Sequence, residues 1–159
     1  MPIPFFLLAA VLAAADQAVK YLVRANIPLG QHLTVAPGVM DLTFVKNTGA
    51  AFSLLAEHTW LLALLSGAAA VVLAVLLVKK PFPHRSGQLA LGLLLGGAVG
   101  NFIDRLLLGY VTDMFAFTFV RFPVFNVADI AVVAGGILLC IHVVLFMREE
   151  DKKEGGPCS

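Results

Sequence analysis

Two aspartates, Asp113 and Asp129, are the residues in this chain best suited to acid–base chemistry. Asp113 stands in the segment GYVTDMF, and Asp129 lies one helical turn inside an apolar stretch that begins NVADIAVV. A carboxylate in apolar surroundings is energetically costly, so its presence indicates a function or a compensating partner. Two carboxylates that face each other cannot both ionise cheaply, so they share a proton and supply a general base and a general acid. Such a pair is suited to water attack on an amide bond.

Most of the other ionisable residues outside the basic segments also crowd toward one end of the apolar stretches. Asp16 and Lys20 lie four residues apart on one helix face, which favours an ion pair that orients the first stretch over direct substrate contact. In GNFIDR, the spacing of Asn101, Asp104 and Arg105 allows them to share a face and bond one another. Asp104 is then either the partner that holds Arg105 or a chemical group in its own right.

Other common chemistries lack the residue patterns that they need. The chain has no glycine-rich phosphate loop, its serines lack the G-x-S-x-G context, and no cysteine is paired with a histidine. Four histidines are scattered without metal-ligand spacing. The formal net charge of +1 carries no nucleic-acid signal. We therefore expect no metal, no organic cofactor and no nucleic-acid partner.

The elements that must position these side chains are long apolar helices. The 159 residues are 60% hydrophobic and only 13% charged, which is typical of a membrane protein. Four apolar stretches approach the roughly 20 residues that a helix needs to cross a bilayer: 3–23, 60–78, 89–108 and 127–147. The sequence therefore predicts a single integral membrane domain over residues 1–159, an all-α membrane protein with four transmembrane helices.

The distribution of positive charge predicts the orientation of these helices. Lys79, Lys80 and Arg85 lie between the second and third stretches, and more basic residues follow the fourth in the tail, 148–159. The positive-inside rule makes both segments cytoplasmic, so both termini are inside and the aspartates lie near the outer face. A cleaved signal peptide is the alternative for the first stretch, but no Lys or Arg precedes it.

The connectors on the outer side carry the remaining structure. The connector 25–58 contains the β-prone LTFV, the turn-like APGV and a Gly-Ala-Ala run, which predict a small β-rich element on the outer, periplasmic face. Only about 15 residues separate Asp113 from Asp129, counted along the printed sequence. Antiparallel helices joined by so short a connector are neighbours, so the two carboxylates can meet near the outer surface.

Five separated blocks identify a family resemblance. DQAVK at 16–20, NTGAAF at 47–52, GGAVGNFIDR at 96–105, VTDM at 111–114 and FNVAD at 125–129 stand in the order of one family's motifs. The chain resembles the lipoprotein signal peptidases (signal peptidase II), the membrane aspartyl proteases of bacteria. The resemblance implies a multi-pass protein of the bacterial cytoplasmic (inner) membrane.

The resemblance also implies a substrate and a role for each polar residue. Family members cleave the signal peptide of prolipoproteins just before a cysteine that carries a diacylglyceryl group. Asp113 and Asp129 match the catalytic pair. The matching substrate-binding and supporting positions are Asn47, Asn101, Arg105, Asn126, Asp16, Lys20 and Asp104.

Several finer expectations follow from the same motifs. Asn47 matches an amide that closes over substrate, and Asn126 is expected to act as the N-cap of the fourth helix and to orient Asp129. Asp104 remains the rival of Asp113 as partner in the pair. Thr112 departs from the family, which usually has an aliphatic residue there. The expected partners are prolipoproteins and membrane lipids, with the enzyme a monomer.

Two other function classes compete with this interpretation. A small ion-coupled transporter or proton-relay protein would use the carboxylates to carry protons, but would show pseudo-symmetric halves and interrupted helices near the bilayer midplane. No internal repeat is present, and the polar groups gather at one face. A structural subunit would use the charges only to pair helices, which would leave the outer cluster without a purpose.

Overall fold

Four long helices dominate the structure, a computed structural model that describes residues 2–49, 59–82 and 84–147. Each is long and apolar enough to cross a membrane, which confirms the predicted class of fold. The helices are α1 (Ile3–Asn26), α2 (Thr59–Lys79), α3 (Arg85–Leu108) and α4 (Val127–His142), which a π-helical segment, Val143–Met147, continues. The predicted tail, 148–159, lies outside the described residues.

Helix α3 lies at the centre, packed against the other three helices. Small residues allow its neighbours to come close. A Cβ added at Gly96 would lie 2.9 Å from the Cβ of Leu12 on α1, and one at Gly97 would lie 2.5 Å from the carbonyl oxygen of Ala128 on α4. Small residues at such positions let helix backbones approach closely inside a membrane. The outer helices keep large apolar side chains such as Val11 exposed, as a lipid-facing surface requires.

A three-stranded antiparallel sheet lies at one end of the bundle. It consists of β1 (His32–Ala36), β2 (Met40–Asn47) and β3 (Val111–Phe117), in that order across the sheet. The first two strands form the β-rich element predicted in the connector 25–58, of which residues 50–58 lie outside the described part. The third strand was not predicted. It comes from the connector between α3 and α4 and pairs Val45 with Asp113.

The short connector places the start of α4 beside β3. The backbone N–H groups of Met114 and Phe115 both donate to the carbonyl oxygen of Phe125, at 3.0 and 2.8 Å. The next residue, Asn126, is the N-cap of α4. Because α4 starts immediately beside β3, the two carboxylate-bearing segments are adjacent.

Candidate active site

A groove of about 920 Å³ opens between the sheet, the C-terminal end of α3 and the N-terminal part of α4. One part of its lining is polar and includes Asn47, Asn101, Arg105, Asp113, Asn126 and Asp129. The rest is apolar and continues along one face of α4 through Ile130, Val133 and Ile137, which are half or more exposed. A polar pocket therefore joins a hydrophobic channel that opens to the lipid-facing side of the bundle.

Asp113 lies in the polar part of the groove and accepts two amide hydrogen bonds. Asn47, the last residue of β2, donates from Nδ2 to Asp113 Oδ2 at 2.8 Å. Asn126 donates from Nδ2 to Asp113 Oδ1 at 2.7 Å. The side chain is 2% exposed. Each carboxyl oxygen is thus fixed by a neutral amide donor.

The environment of Asp113 favours its protonated form. Burial raises the pKa of this carboxyl from 3.8 to about 6, and the charge of Asp129 acts in the same direction. The bonds from Asn47 and Asn126, and the charge of Lys20, lower the pKa but do not offset the loss of hydration. A carboxyl of this kind can hold a proton under mildly acidic conditions.

Asp129 occupies the first turn of α4, where Asn126 fixes it by a capping box. The backbone N–H of Asp129 donates to Asn126 Oδ1 at 2.9 Å, and the N–H of Asn126 donates to Asp129 Oδ2 at 3.1 Å. Asn101 of α3 donates to the other carboxyl oxygen, Oδ1, at 2.8 Å. Asn126 therefore bonds to both aspartates. Through this shared partner the structure brings Asp113 and Asp129 together, as the sequence predicts.

The Asp16–Lys20 pair lies behind the groove, fully buried. Lys20 Nζ is 2.8 Å from Asp16 Oδ2 and 3.4 Å from Asp104 Oδ2, and it donates to Asn101 Oδ1 at 3.0 Å. Asp16 Oδ1 accepts from the backbone N–H of Ala128, at 2.9 Å, which ties α1 to the first turn of α4. Neither member of the pair lines the groove. Their contacts therefore agree with the predicted ion pair and not with direct substrate contact.

Asp104 and Arg105 do not form the pair considered from the sequence. Asp104 Oδ2 accepts from the backbone N–H of Thr112 at 2.8 Å, whereas Arg105 Nη2 donates to the carbonyl oxygen of Gly49 at 3.4 Å. Successive helix residues point in different directions, so the two side chains face different neighbours. Arg105 lies within electrostatic range of Asp113 and Asp129. Asp104 is buried and is not among the groove-lining residues.

One basic residue escaped the sequence-based prediction. Arg24 lies in the last turn of α1, beyond the predicted end of the first stretch, and donates from Nη1 to the Thr112 hydroxyl at 2.9 Å. Its spacing held a usable signal, because Asp16, Lys20 and Arg24 recur every four residues on one helix face. The unexpected Thr112 is therefore a hydrogen-bond acceptor for α1.

Comparison with known proteins identifies one family. A family model described as signal peptidase (SPase) II matches residues 8–145. A lipoprotein signal peptidase of Enterococcus faecalis is 42% identical over 151 residues, which are 95% of this chain and 92% of that protein. Another, from Brevibacillus brevis, is 40% identical over 89% of this chain and 95% of its own length.

Two solved structures share the fold. One, described as a bacterial membrane enzyme, has a TM-score of 0.84 and 27% identity, and the match covers 98% of this chain and 94% of that one. A second, described in the same words, has a TM-score of 0.81 and 30% identity over 90% of this chain and 94% of its own. Sequence and fold thus point to the same group of proteins.

Proposed function

The chain belongs to the signal peptidase II family, and on that premise we propose that it is an aspartic endopeptidase that removes signal peptides from prolipoproteins. It is a multi-pass membrane protein and a protease of that family. The family resemblance predicted from five sequence blocks is confirmed. The transporter alternative finds no support. The observation that best supports the aspartic mechanism is that Asn126 bonds to both Asp113 and Asp129.

The two aspartates take different roles. Asp113 is the more deeply buried, and its raised pKa suits the acid that retains a proton. Asp129 is partly exposed to the groove and acts as the base. It takes a proton from water as the water oxygen adds to the scissile carbonyl. Asp113 donates its proton to the amide nitrogen, the C–N bond breaks, and the oxyanion collapses to a carboxylic acid as the neutral amine leaves.

The neighbouring polar residues support this chemistry. Asn101 donates to Asp129 Oδ1 and leaves the remaining lone pairs of the carboxylate to meet water. Arg105 lies near both carboxylates, where its positive charge stabilises the oxyanion that forms on the carbonyl oxygen. Asn47 holds Asp113 from the sheet side. Asp104 faces Thr112 and α1, which favours Asp113 over Asp104 as the partner of Asp129.

The shape of the groove suits a lipid-modified substrate. Its polar end surrounds the aspartates, and its apolar side follows exposed α4 residues toward the position of the bilayer. A diacylglyceryl chain would lie along this apolar side while the peptide bond before the modified cysteine meets the carboxylates. The substrate is itself membrane-bound and can enter laterally, so membrane lipids are its natural competitors.

The orientation follows from the ends of α3. The basic hinge, with Lys79, Lys80 and Arg85, lies at the N-terminal end of α3, whereas Asn101 and Arg105 lie near its C-terminal end. If the hinge is cytoplasmic by the positive-inside rule, the groove opens at the outer face of the cytoplasmic membrane and both termini are inside. The enzyme works as a monomer, because one chain contains every proposed catalytic group.

A defined substrate tests the function directly. The purified enzyme in lipid is given a synthetic preprolipoprotein with or without the diacylglyceryl group on its cysteine, and the products are mapped by mass spectrometry. We expect a single cut just before the modified cysteine and little cleavage of the unmodified peptide. Cleavage of both peptides at equal rates would show that the enzyme does not recognise the diacylglyceryl group. Cleavage of neither peptide would contradict the proposed function.

A further inference from the structure

Arg24 contacts the strand that carries Asp113, although it lies outside the groove. Its Nη1 donates a hydrogen bond to the Thr112 hydroxyl at 2.9 Å and lies 3.7 Å from Asp104 Oδ1. Thr112 and Asp104 are buried, and the Arg24 side chain is 23% exposed. A charged donor strengthens a hydrogen bond to a buried hydroxyl. Arg24 thus ties the last turn of α1 to β3.

Asp104 holds the same residue of β3 through its backbone. Its Oδ2 accepts from the Thr112 N–H at 2.8 Å, in a fully buried contact. Its Oδ1 accepts no hydrogen bond from any described residue, so Arg24, at 3.7 Å, is the cation that balances this buried atom. Thr112 is therefore fixed twice, once at the amide and once at the hydroxyl.

This double attachment bears on Asp113 through the geometry of a strand. Successive side chains of a strand point to opposite faces, so Thr112 faces α1 while Asp113 faces the groove. The pairing of β2 with β3 shifts register between Leu42 and Val45, and Val45 is the residue opposite Asp113. Pairing is regular from Val111 to Asp113, so Asp113 is the last regularly paired residue of β3 before the ladder is interrupted. The contacts of Arg24 and Asp104 with Thr112 add a restraint from α1 and α3 next to this interruption.

We propose that Arg24 and Thr112 are positioning residues for the reaction, acting through the Thr112 hydroxyl to set the place of Asp113 in the groove. The inference rests on the proposed catalytic role of Asp113. Neither residue lines the groove, so neither touches substrate. A displacement of β3 by a fraction of an ångström would separate Asp113 from the scissile bond while leaving most of the substrate-binding surface in place.

The variant Thr112→Val removes the hydroxyl and keeps the shape and the strand preference of the side chain. We expect kcat to fall about tenfold, with KM changed less than about twofold. The value of kcat is calculated per folded enzyme, and the folded fraction is measured by thermal unfolding in detergent. Thr112→Ser, which keeps the hydroxyl, restores kcat. A merely structural role would instead lower the unfolding temperature and leave kcat per folded enzyme unchanged, which would overturn the inference.

The same sheet offers a matched control. Thr43 of β2 is also buried, but its hydroxyl has no hydrogen-bond partner among the described residues. Thr43→Val makes the same chemical change without breaking a bond to α1, so kcat stays at the wild-type value. A fall equal to that of Thr112→Val would contradict the inference, because it would show a general response of the sheet to lost hydroxyls.

Coupling between the two residues is the second measurement. Arg24→Gln lowers kcat at least as much as Thr112→Val, and the double variant is no slower than Arg24→Gln alone, because one contact is removed twice. Independent, additive losses would overturn the proposal. Asp113→Asn separates this outcome from a failure of the proposed function: if that variant is inactive while the Arg24 and Thr112 variants match the wild type, only the inference falls.

Discussion

The two aspartates of the groove are held by different kinds of structure. The position of Asp129 follows from four consecutive residues, because Asn126 and Asp129 satisfy each other's N–H groups at the start of α4. Asp113 lies on β3, whose place depends on β2 and on α1, both distant in sequence. Asp129 is positioned mainly by a local motif, with one added bond from Asn101, whereas Asp113 is positioned by the assembled fold.

The difference shows where the site is vulnerable. The capping box involves only the first turn of α4, so it orients Asp129 as long as that turn is formed, and Asn101 of α3 adds one further bond. Asp113 keeps its place only while contacts from three other segments persist: Asn47 and Asn126 bond to its carboxyl, and Asp104 holds the neighbouring Thr112. Substitutions that weaken tertiary contacts should therefore disturb Asp113 before Asp129.

Removing Lys20 should have the largest effect on stability, because both halves of the site depend on it. Lys20→Met leaves Asp16 and Asp104 buried without their shared cation. We expect a loss of about 3–5 kcal/mol in the free energy of unfolding, measured by reversible denaturation in detergent. Lys46→Met is the control. Lys46 is exposed and lies 4.9 Å from the centre of the Tyr110 ring, so its loss should cost less than about 1 kcal/mol.

A methyl group at Gly97 tests the side of the site that α4 carries. The added Cβ would meet the carbonyl oxygen of Ala128 at 2.5 Å and Val132 Cγ2 at 2.6 Å, so Gly97→Ala must push α4 away from α3. We expect a loss of about 1–3 kcal/mol together with reduced processing. Gly136→Ala is the matched variant on α4, where nothing lies within 4 Å, and it should leave both stability and processing intact. Equal losses in the two variants would contradict the packing argument.

Asn126 is the residue in which the two halves meet, and two substitutions separate its tasks. Asn126→Ala removes the cap and the bond to Asp113, whereas Asn126→Ser keeps a capping oxygen but does not reach Asp113. We expect the serine variant to be about 1 kcal/mol more stable than the alanine variant. Both should process substrate slowly. Full activity in Asn126→Ser would mean that the bond from Asn126 to Asp113 has no catalytic importance.

The same contrast explains how much the sequence predicted. Four helices were predictable because apolar length is a local property, and the cap at Asn126 was predictable because its partners lie within one turn. Strand β3 was not predictable, because it pairs with β2, which is distant in sequence. Asn47 of β2, for example, lies 66 residues from Asp113. The partners of Asp104 were also missed, because spacing on α3 alone does not show that Lys20 of α1 and Thr112 of β3 face it.

The pH dependence of the reaction is a smaller effect that sharpens the assignment of roles. Burial raises the pKa of Asp113 to about 6, so its carboxyl keeps a proton below that pH and loses it above. If Asp113 is the acid, kcat/KM falls as the pH rises through about 6. Asn126→Ser removes a hydrogen bond that favours the charged form, so this limb should move to higher pH. A shift to lower pH would contradict the assignment.

The central claim is that Asp113 and Asp129 form the catalytic pair. It is tested most directly by the processing rate of a diacylglyceryl-modified preprolipoprotein with single Asp→Asn variants, each shown to be folded by thermal unfolding. Asp113→Asn and Asp129→Asn should each slow cleavage by about 10²–10⁴-fold, whereas Asp41→Asn, on β2 outside the groove lining, should cleave at the wild-type rate. Wild-type cleavage by a folded variant of either groove aspartate, or loss with Asp104→Asn but not with Asp113→Asn, would contradict the account.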